Sequence, residues 1–257
     1  RFQIQHDEFL KDFQDGLARL IADCEKKSLA EAVEELLPWQ AVVDVQSLSD
    51  RSLPRLVQAD IPLTLPRDER QWRIEFRTLR QDLARDLYLL SRRVLNAGLP
   101  NATWRLIHEV VWYDSDYERA RTLLGYERHG DEWVTPFAAK KLRGKFVWHA
   151  RFGWLPGSHV ERYDNGERFF RNHWQSAQKE AELRRDWTHA WEIETDNYLV
   201  KTNVGLEEGV ELAKKLEVFY DWFQRAFPAF FNTPDQLKKL FAETTRRRRV
   251  ARTRFVV

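Results

Sequence analysis

The chain lacks most of the residues on which disulfide, metal and membrane sites depend. Cys24 is the one cysteine among 257 residues, so an intramolecular disulfide and a thiolate metal site are both excluded, and we expect this thiol to be inert. There is no methionine and the first residue is Arg1, so we expect the natural start, with any signal peptide, to be missing. No apolar run of about 18 residues occurs, and the sequence therefore predicts no membrane-spanning helix.

An excess of either charge is also lacking. The chain has 42 basic and 40 acidic residues, and a net charge of +2 does not by itself indicate nucleic acid or membrane as a partner. Aromatic residues are abundant instead, with 11 Trp, 16 Phe and 7 Tyr. Together with an apolar fraction of 43%, this composition indicates a globular protein, and the patterns described next predict an α+β fold that is mainly α.

The first predicted segment, residues 1–125, shows the spacing of apolar residues that is typical of helices. Two helices are predicted within 7–37, and the second begins with a capping box formed by Ser28 and Glu31. A longer helix is predicted from Pro66 to Leu95.

The rest of this segment is predicted to be a connection and a pair of helices. Residues 38–66 contain four prolines and indicate an irregular connection with one short strand, Ala41–Val45. Helices are expected at 101–112 and 116–124, the second with Asp116 as its N-cap. The pair resembles a single tetratricopeptide-like repeat.

The second predicted segment, residues 126–190, contains two copies of a small hairpin-helix module. Trp133 and Trp174 occupy the same place in the two copies, and each is followed two residues later by a hydroxyl residue, Thr135 or Ser176. These hydroxyls suit the N-cap of a helix. We expect the stretch between the copies, "FVWHARFGWLPGSHVERY", to be a strand and loop on the surface. The two tryptophans either fill the small cores of these modules or form an exposed binding surface, and the sequence favours the structural role.

The third predicted segment, residues 191–257, opens with a β-hairpin and one long amphipathic helix that ends before Pro228. Apolar and polar residues alternate on both strands, and Asp196-Asn197 forms the turn because both residues tolerate positive φ. Such a unit usually begins a domain, so we expect this segment to be the opening of an incomplete one.

The helix of this unit carries more apolar residues than a lone hairpin can cover. We expect an exposed apolar face around Leu216, Tyr220 and Phe223, unless the preceding aromatic residues cover it.

Residues able to carry chemistry do not form a catalytic set. His108-Glu109 starts a zinc-peptidase motif, but Trp112 stands where the second histidine ligand is required. Four further histidines have spacings that match no ligand pattern: His149, His159, His173 and His189. The sequence therefore predicts no catalytic, metal-binding or cofactor-binding residue.

The arginine run 246–249, with Arg252 and Arg254, is the sharpest charge feature. It suits either an anionic partner or a solvated linker leading into a strand, and the linker is favoured because the rest of the chain has no matching basic excess. Nucleic acid is not the expected partner, whereas a protein or peptide is. The residues proposed for a binding surface are Trp133, Trp154, Trp174, Trp191, Tyr220, Arg247 and Arg248.

The motifs "FGWLP" and "WEIETDNYLVKTN" carry a resemblance to a known group of proteins. From about Ala102 to Phe231 the chain resembles uncharacterised bacterial proteins with a C-terminal gluzincin-like metallopeptidase domain. The resemblance implies that the hairpin and helix begin the peptidase-like domain and that an HExxH zinc motif lies further on. It also implies export to the periplasm. No HExxH occurs in these residues, so zinc is expected only if such a downstream domain exists.

Three functions are therefore open. The first is a non-catalytic accessory region of a gluzincin-like metallopeptidase, which positions the substrate or the catalytic domain. The second is a stand-alone scaffold that binds a protein or peptide through its helical repeat and aromatic modules. The third is a weak binder of anionic polymers that uses the arginine run.

Overall fold

The computed structural model describes residues 1–40, 53–227, 230, 233–243 and 255–257. Helices dominate and the strands form small sheets, so the predicted α+β, mainly α class is confirmed. The strand predicted at Ala41–Val45 and the arginine run lie outside the described residues. Among the helices that the structure describes, none is long and apolar enough to cross a membrane.

The helices have the following bounds. They are α1 Phe2–Lys26, α2 Ala30–Leu36, α3 Arg67–Asn96, α4 Pro100–Tyr113, α5 Glu118–Leu123, α6 Pro136–Arg143, α7 Val160–Asp164, α8 Ala177–Leu183, α9 Leu206–Ala226 and α10 Pro234–Glu243. Short 3₁₀ turns occur at Leu37–Gln40, Gly157–His159 and Trp187–His189.

The strands are short and mostly paired as hairpins. They are β1 Glu127–His129, β2 Glu132–Val134, β3 Phe146–His149, β4 Gly153–Pro156, β5 Glu167–Phe170, β6 His173–Ser176, β7 Trp191–Glu194, β8 Tyr198–Thr202 and β9 Phe255–Val256. The first six form three separate two-stranded sheets, and the last three form one sheet in the order β7-β8-β9.

The chain divides into two compact units. The first comprises Arg1–Trp133 and Gln224–Arg248, and the second comprises Val134–Phe223 and Arg249–Val257. The division into segments 1–125, 126–190 and 191–257 stays a prediction.

In the first unit, α1, α3 and α4 pack around one apolar core, because each helix carries a stripe of buried apolar residues. The capping box predicted at Ser28 is wrong. Ser28 ends α1 with a left-handed backbone, φ 58°, while the N-cap of α2 is Leu29. The amide of Leu29 donates to the carbonyl of Cys24 at 3.0 Å, so Ser28 serves as the C-terminal stop of the preceding helix.

The segment 126–183 contains three hairpin-helix repeats, not two. A tryptophan lies at the same point of β2, β4 and β6, namely Trp133, Trp154 and Trp174, and a helical segment begins three residues after each one. The middle repeat occupies the stretch that was expected to be a strand and loop on the surface. The Trp-x-Thr/Ser spacing does not reveal this repeat, because Pro156 occupies the position at which the other two repeats have a hydroxyl residue.

Both predicted hydroxyl caps are confirmed. Thr135 Oγ1 accepts from the amide of Ala138 at 3.1 Å, and Ser176 Oγ accepts from the amide of Lys179 at 3.2 Å. These bonds satisfy backbone amides that the first turn of each helix leaves open.

The repeats are also linked by the same backbone contact. After the helix of the first repeat, Lys145 adopts φ 61° and its carbonyl accepts from the amide of Gly157 at 2.9 Å. One repeat later Gly166, with φ 85°, accepts from the amide of Ala177 at 3.0 Å. In both places a residue with a left-handed backbone follows the helix of one repeat. Its carbonyl accepts from the amide that begins the helical segment of the next repeat.

The predicted unit of hairpin and long helix is present as β7, β8 and α9. Trp191 pairs with Thr202 and Ile193 with Val200 in an antiparallel register. The turn at Asp196-Asn197 has two residues as predicted, but neither has positive φ. Strand β9 then pairs parallel to β8, and α9 and α10 lie between these two strands in the chain.

Candidate functional site

The three repeat tryptophans lie in different environments. Trp133 is buried in the first unit, where its Nε1 donates to Asp116 Oδ1 at 2.8 Å and the Arg121 guanidinium lies 5.5 Å from its ring centroid. Its ring therefore offers little surface to a partner.

Trp154 and Trp174 belong to the second unit and are half-buried. Trp154 contacts the rings of Trp148 and Phe137, with centroids 5.7 and 6.1 Å apart. Trp174 lies 4.8 Å from the imidazole of His159, and the Arg162 guanidinium covers it at 3.8 Å. These contacts are the kind that fill a small core, as expected for structural tryptophans.

The other residues proposed for a binding surface are buried or lie outside the described residues. Trp191 and Tyr220 are buried in the second unit, and Tyr220 contacts the rings of Tyr198 and Phe255. Arg247 and Arg248 lie outside the described residues. The structure thus does not bring these residues together into one exposed surface, and their role in binding stays a prediction.

Helix α9 exposes an apolar surface that lies next to the predicted one. Val218, Phe219 and Trp222 are 69%, 53% and 42% exposed. The expected face around Leu216, Tyr220 and Phe223 is wrong because Tyr220 is buried under Phe255 of β9. We call Val218, Phe219 and Trp222 the outer face of α9.

This outer face is unusual for a surface helix. The inner side of α9 is buried through Val210, Ala213 and Tyr220. In the C-terminal half, apolar residues therefore extend beyond the buried side, and the polar residues are confined to one stripe that includes Glu217, Asp221 and Arg225. The outer side of the N-terminal half instead carries charged residues, including Glu208 and Glu211. Apolar side chains that are exposed next to an already buried helix side are often covered by other structure.

The tip of the β7-β8 hairpin is a point where several elements of the second unit meet. Glu217 of α9 accepts from the amide and the Nδ2 of Asn197 at 2.7 and 2.6 Å. Thr135 donates to the Asp196 carboxylate, and the carbonyl of Asn197 accepts from the amide of Phe255 at 2.8 Å. The Glu217 carboxylate thus fixes the turn residues directly, and the turn forms without positive φ.

The half-motif His108-Glu109 has a structural role. The Glu109 carboxylate is buried and lies 2.9 Å from Nε2 of His6, which joins α4 to α1. The hydrogen bond to Glu109 raises the pKa of His6. His108 donates from Nδ1 to the carbonyl of Trp104 at 2.9 Å, and desolvation lowers the pKa of its imidazole to about 4. Neither residue is placed to hold a metal.

A polar network that the sequence did not reveal lies beside this core. Arg121 is fully buried and donates to the carbonyls of Ser115 and Pro54, and burial lowers its pKa to about 10. Asp116 was predicted to cap α5, but the N-cap is Tyr117. Asp116 instead accepts from the amide of Gln58 at 2.9 Å as well as from Trp133.

The network attaches the chain around residues 54–58 to the start of α5. No sequence signal marks it, because its members come from three distant stretches and share no spacing. Each of these hydrogen bonds joins two groups of the protein itself, so the network has a structural role.

Two of the remaining histidines have other partners. His149 lies 3.2 Å from the Asp164 carboxylate, and His189 contacts Arg171. Across the part of the chain that the structure describes, no group of three histidine, cysteine or acidic residues could hold a metal ion.

Comparisons with family models, with curated proteins and with solved structures give no match to this chain.

Proposed function

We propose that this chain is a non-catalytic interaction region of a gluzincin-like zinc metallopeptidase. Its role is to position the catalytic domain or its protein substrate. The observation that carries the proposal is the outer face of α9, which exposes Val218, Phe219 and Trp222 on a helix whose inner side is already buried. The resemblance gives this helix a place at the start of a peptidase-like domain, and an apolar outer face suits a helix that further domain structure covers.

The buried roles of the half-motif residues support the non-catalytic part of the proposal. Glu109 is engaged by His6, and His108 is engaged by a backbone carbonyl. A glutamate that acts as a base in a zinc peptidase must reach a metal-bound water. Glu109 is held inside a helical core, and Trp112 stands where the motif requires its second histidine.

Cross-linking from α9 tests what covers the outer face. The Phe219→benzoylphenylalanine variant of the protein is expressed in its native cells. After irradiation, cross-linked peptides are identified by mass spectrometry. We expect the cross-links to reach a domain that carries an HExxH motif, on the same or another chain. The matched control is Leu89→benzoylphenylalanine on α3, since Leu89 is also exposed.

The proposal is wrong if position 219 forms no cross-link or reaches the same proteins as position 89. The non-catalytic part has its own test. Purified chain supplied with zinc should not cleave casein, and cleavage that a chelator abolishes would contradict the assignment.

A further inference from the structure

The middle repeat carries a cluster of aromatic side chains on one face of its hairpin. Phe146 and Trp148 lie two residues apart on β3, so their side chains share a face of the sheet. Trp148 pairs with Trp154 on β4, and Phe137 of α6 contacts Trp154 with ring centroids 6.1 Å apart. We call Phe137, Phe146, Trp148 and Trp154 the aromatic face of the middle repeat.

Trp148 is the most exposed member of this face. It is 38% exposed, although its ring contacts that of Trp154 at 5.7 Å between centroids. The tryptophan of the first repeat, Trp133, is only 5% exposed. Tryptophan is enriched among the residues that contribute most to binding at protein interfaces, because its rigid ring buries a large area. Trp148 therefore offers an anchor point to a partner.

The chain around this face carries charge of one sign. Residues 134–160 contain five lysines or arginines and no acidic residue, although the charges of the whole chain are nearly balanced. Two of these cations are paired with acidic residues of other elements of the second unit. Lys141 lies 2.6 Å from the Glu194 carboxylate, and Arg151 lies 2.8 Å from that of Glu207.

Two lysines of the same stretch keep their charge uncompensated. Lys140 lies in α6 and Lys145 directly precedes β3, so both belong to the elements that carry the aromatic face. Both are exposed, and neither forms an ion pair with any residue that the structure describes. A second copy of this face would bring like charges together, which repulsion disfavours, whereas an acidic partner would meet complementary charge.

A nucleic acid matches this surface less well than an acidic protein segment does. The affinity for nucleic acid rises with the number of phosphates that cations neutralise, and two lysines neutralise few. Proteins that bind single strands without sequence preference stack successive bases on several rings. Of the four rings in the aromatic face, that of Trp148 is exposed and the other three are half-buried.

From these observations we infer that the aromatic face of the middle repeat binds an acidic segment of a partner protein. An apolar side chain of the segment packs on Trp148, and its carboxylates pair with Lys140 and Lys145. The inference rests on the proposed function, in which the chain positions a protein substrate, and names the chemistry of the segment that is recognised. It concerns residues other than the outer face of α9.

Binding of a fluorescein-labelled peptide, measured by anisotropy, tests the inference. The probe has a Leu-Pro-Leu core between two triplets of Glu, and the comparison probe has Lys in place of Glu. We expect Lys140→Glu combined with Lys145→Glu to weaken binding of the acidic probe about tenfold or more. The matched control is Lys179→Glu combined with Lys215→Glu, which makes the same change of net charge at exposed lysines outside the middle repeat. This control should bind nearly as well as the wild type.

Trp148→Ala tests the apolar half of the surface. We expect it to weaken binding about fivefold or more, while Trp148→Phe keeps most of the affinity because it retains a ring. The lysine variants guard against a general loss of structure in Trp148→Ala, since they change exposed side chains alone, and circular dichroism compares the folding of all variants.

Four outcomes overturn the inference. They are no preference of the wild type for the acidic over the lysine probe, equal losses in the two lysine pairs, unchanged binding to Trp148→Ala, and tighter binding of single-stranded DNA than of the peptide. A wild-type dimer that the change at Lys140 and Lys145 dissociates also overturns it. The cross-links from Phe219 report on the outer face of α9, so the proposed function can fail or succeed there independently of these results.

Discussion

Lys145 has a left-handed backbone, which costs a non-glycine residue about 1 to 2 kcal/mol. Its counterpart one repeat later is Gly166, which adopts the same conformation without that cost. We therefore expect Lys145→Gly to raise the free energy of unfolding by about 0.5 to 1 kcal/mol, measured by urea denaturation. Lys145→Ala is the control, because it removes the same side chain but keeps the strain. An equal gain in both variants would contradict this explanation.

The contact between His6 and Glu109 makes stability depend on pH. The hydrogen bond to Glu109 is the largest cause of the raised pKa of His6, and burial acts against it. Folding therefore favours the protonated imidazole. The resulting stabilisation is fully present below pH 6.5, the ordinary value for histidine, and is lost as the pH rises through the raised pKa.

We accordingly expect His6→Gln to lose about 1 to 3 kcal/mol of unfolding free energy in the acidic range and progressively less as the pH rises. Urea unfolding of both proteins at a series of pH values measures this difference. His173→Gln is the control, since His173 is exposed. A difference that stays constant across the pH series would show that protonation of His6 does not contribute.

At the scale of single elements, the two hydroxyl caps differ in one respect. Both accept a backbone amide, but Thr135 also donates to Asp196 at the hairpin tip. We expect Ser176→Ala to cost about 1 kcal/mol and Thr135→Ala about 2 kcal/mol in urea denaturation. Thr135→Ser should retain most of the stability because it keeps the hydroxyl. Equal costs for the two alanine variants would exclude a contribution from Asp196.

The hairpin tip also depends on α9. Removing the carboxylate with Glu217→Ala leaves the amide and side chain of Asn197 buried without their acceptor, at a cost of about 1 to 3 kcal/mol. Glu211→Ala on the same helix should cost less than about 0.5 kcal/mol, because the ion pair of Glu211 with Lys214 is exposed. Thermal unfolding followed by circular dichroism compares the two variants. Similar losses in both would mean that helix propensity, not the turn contact, determines the effect.

For the molecule as a whole, its single cysteine provides a probe of unfolding. Cys24 is buried in the core of the first unit, and burial raises the pKa of its thiol. We expect Ellman's reagent to label the native protein only as fast as this core opens and the urea-unfolded protein at once. Fast labelling in native buffer would show that the end of α1 opens independently of the core.

Much of the fold follows from local sequence patterns, whereas the exposed surface does not. The helices α1, α3 and α9 and the β7-β8 hairpin were predictable because apolar periodicity and caps are properties of neighbouring residues. The middle repeat was missed because Pro156 replaces the hydroxyl that marked the other copies. The exposed side of α9 was mispredicted because Phe255, far away in sequence, covers Tyr220.

The parallel pairing of β8 with β9 has a consequence for the order in which the second unit folds. The β7-β8 hairpin can close as soon as its own residues are available, since its turn spans two neighbouring residues. The pairing of β8 with β9 must wait for α9 and α10 and requires closure of a long loop. During synthesis, β8 and Tyr220 therefore stay uncovered for a time, and this interval is when the nascent chain is most open to pairing with the wrong strand.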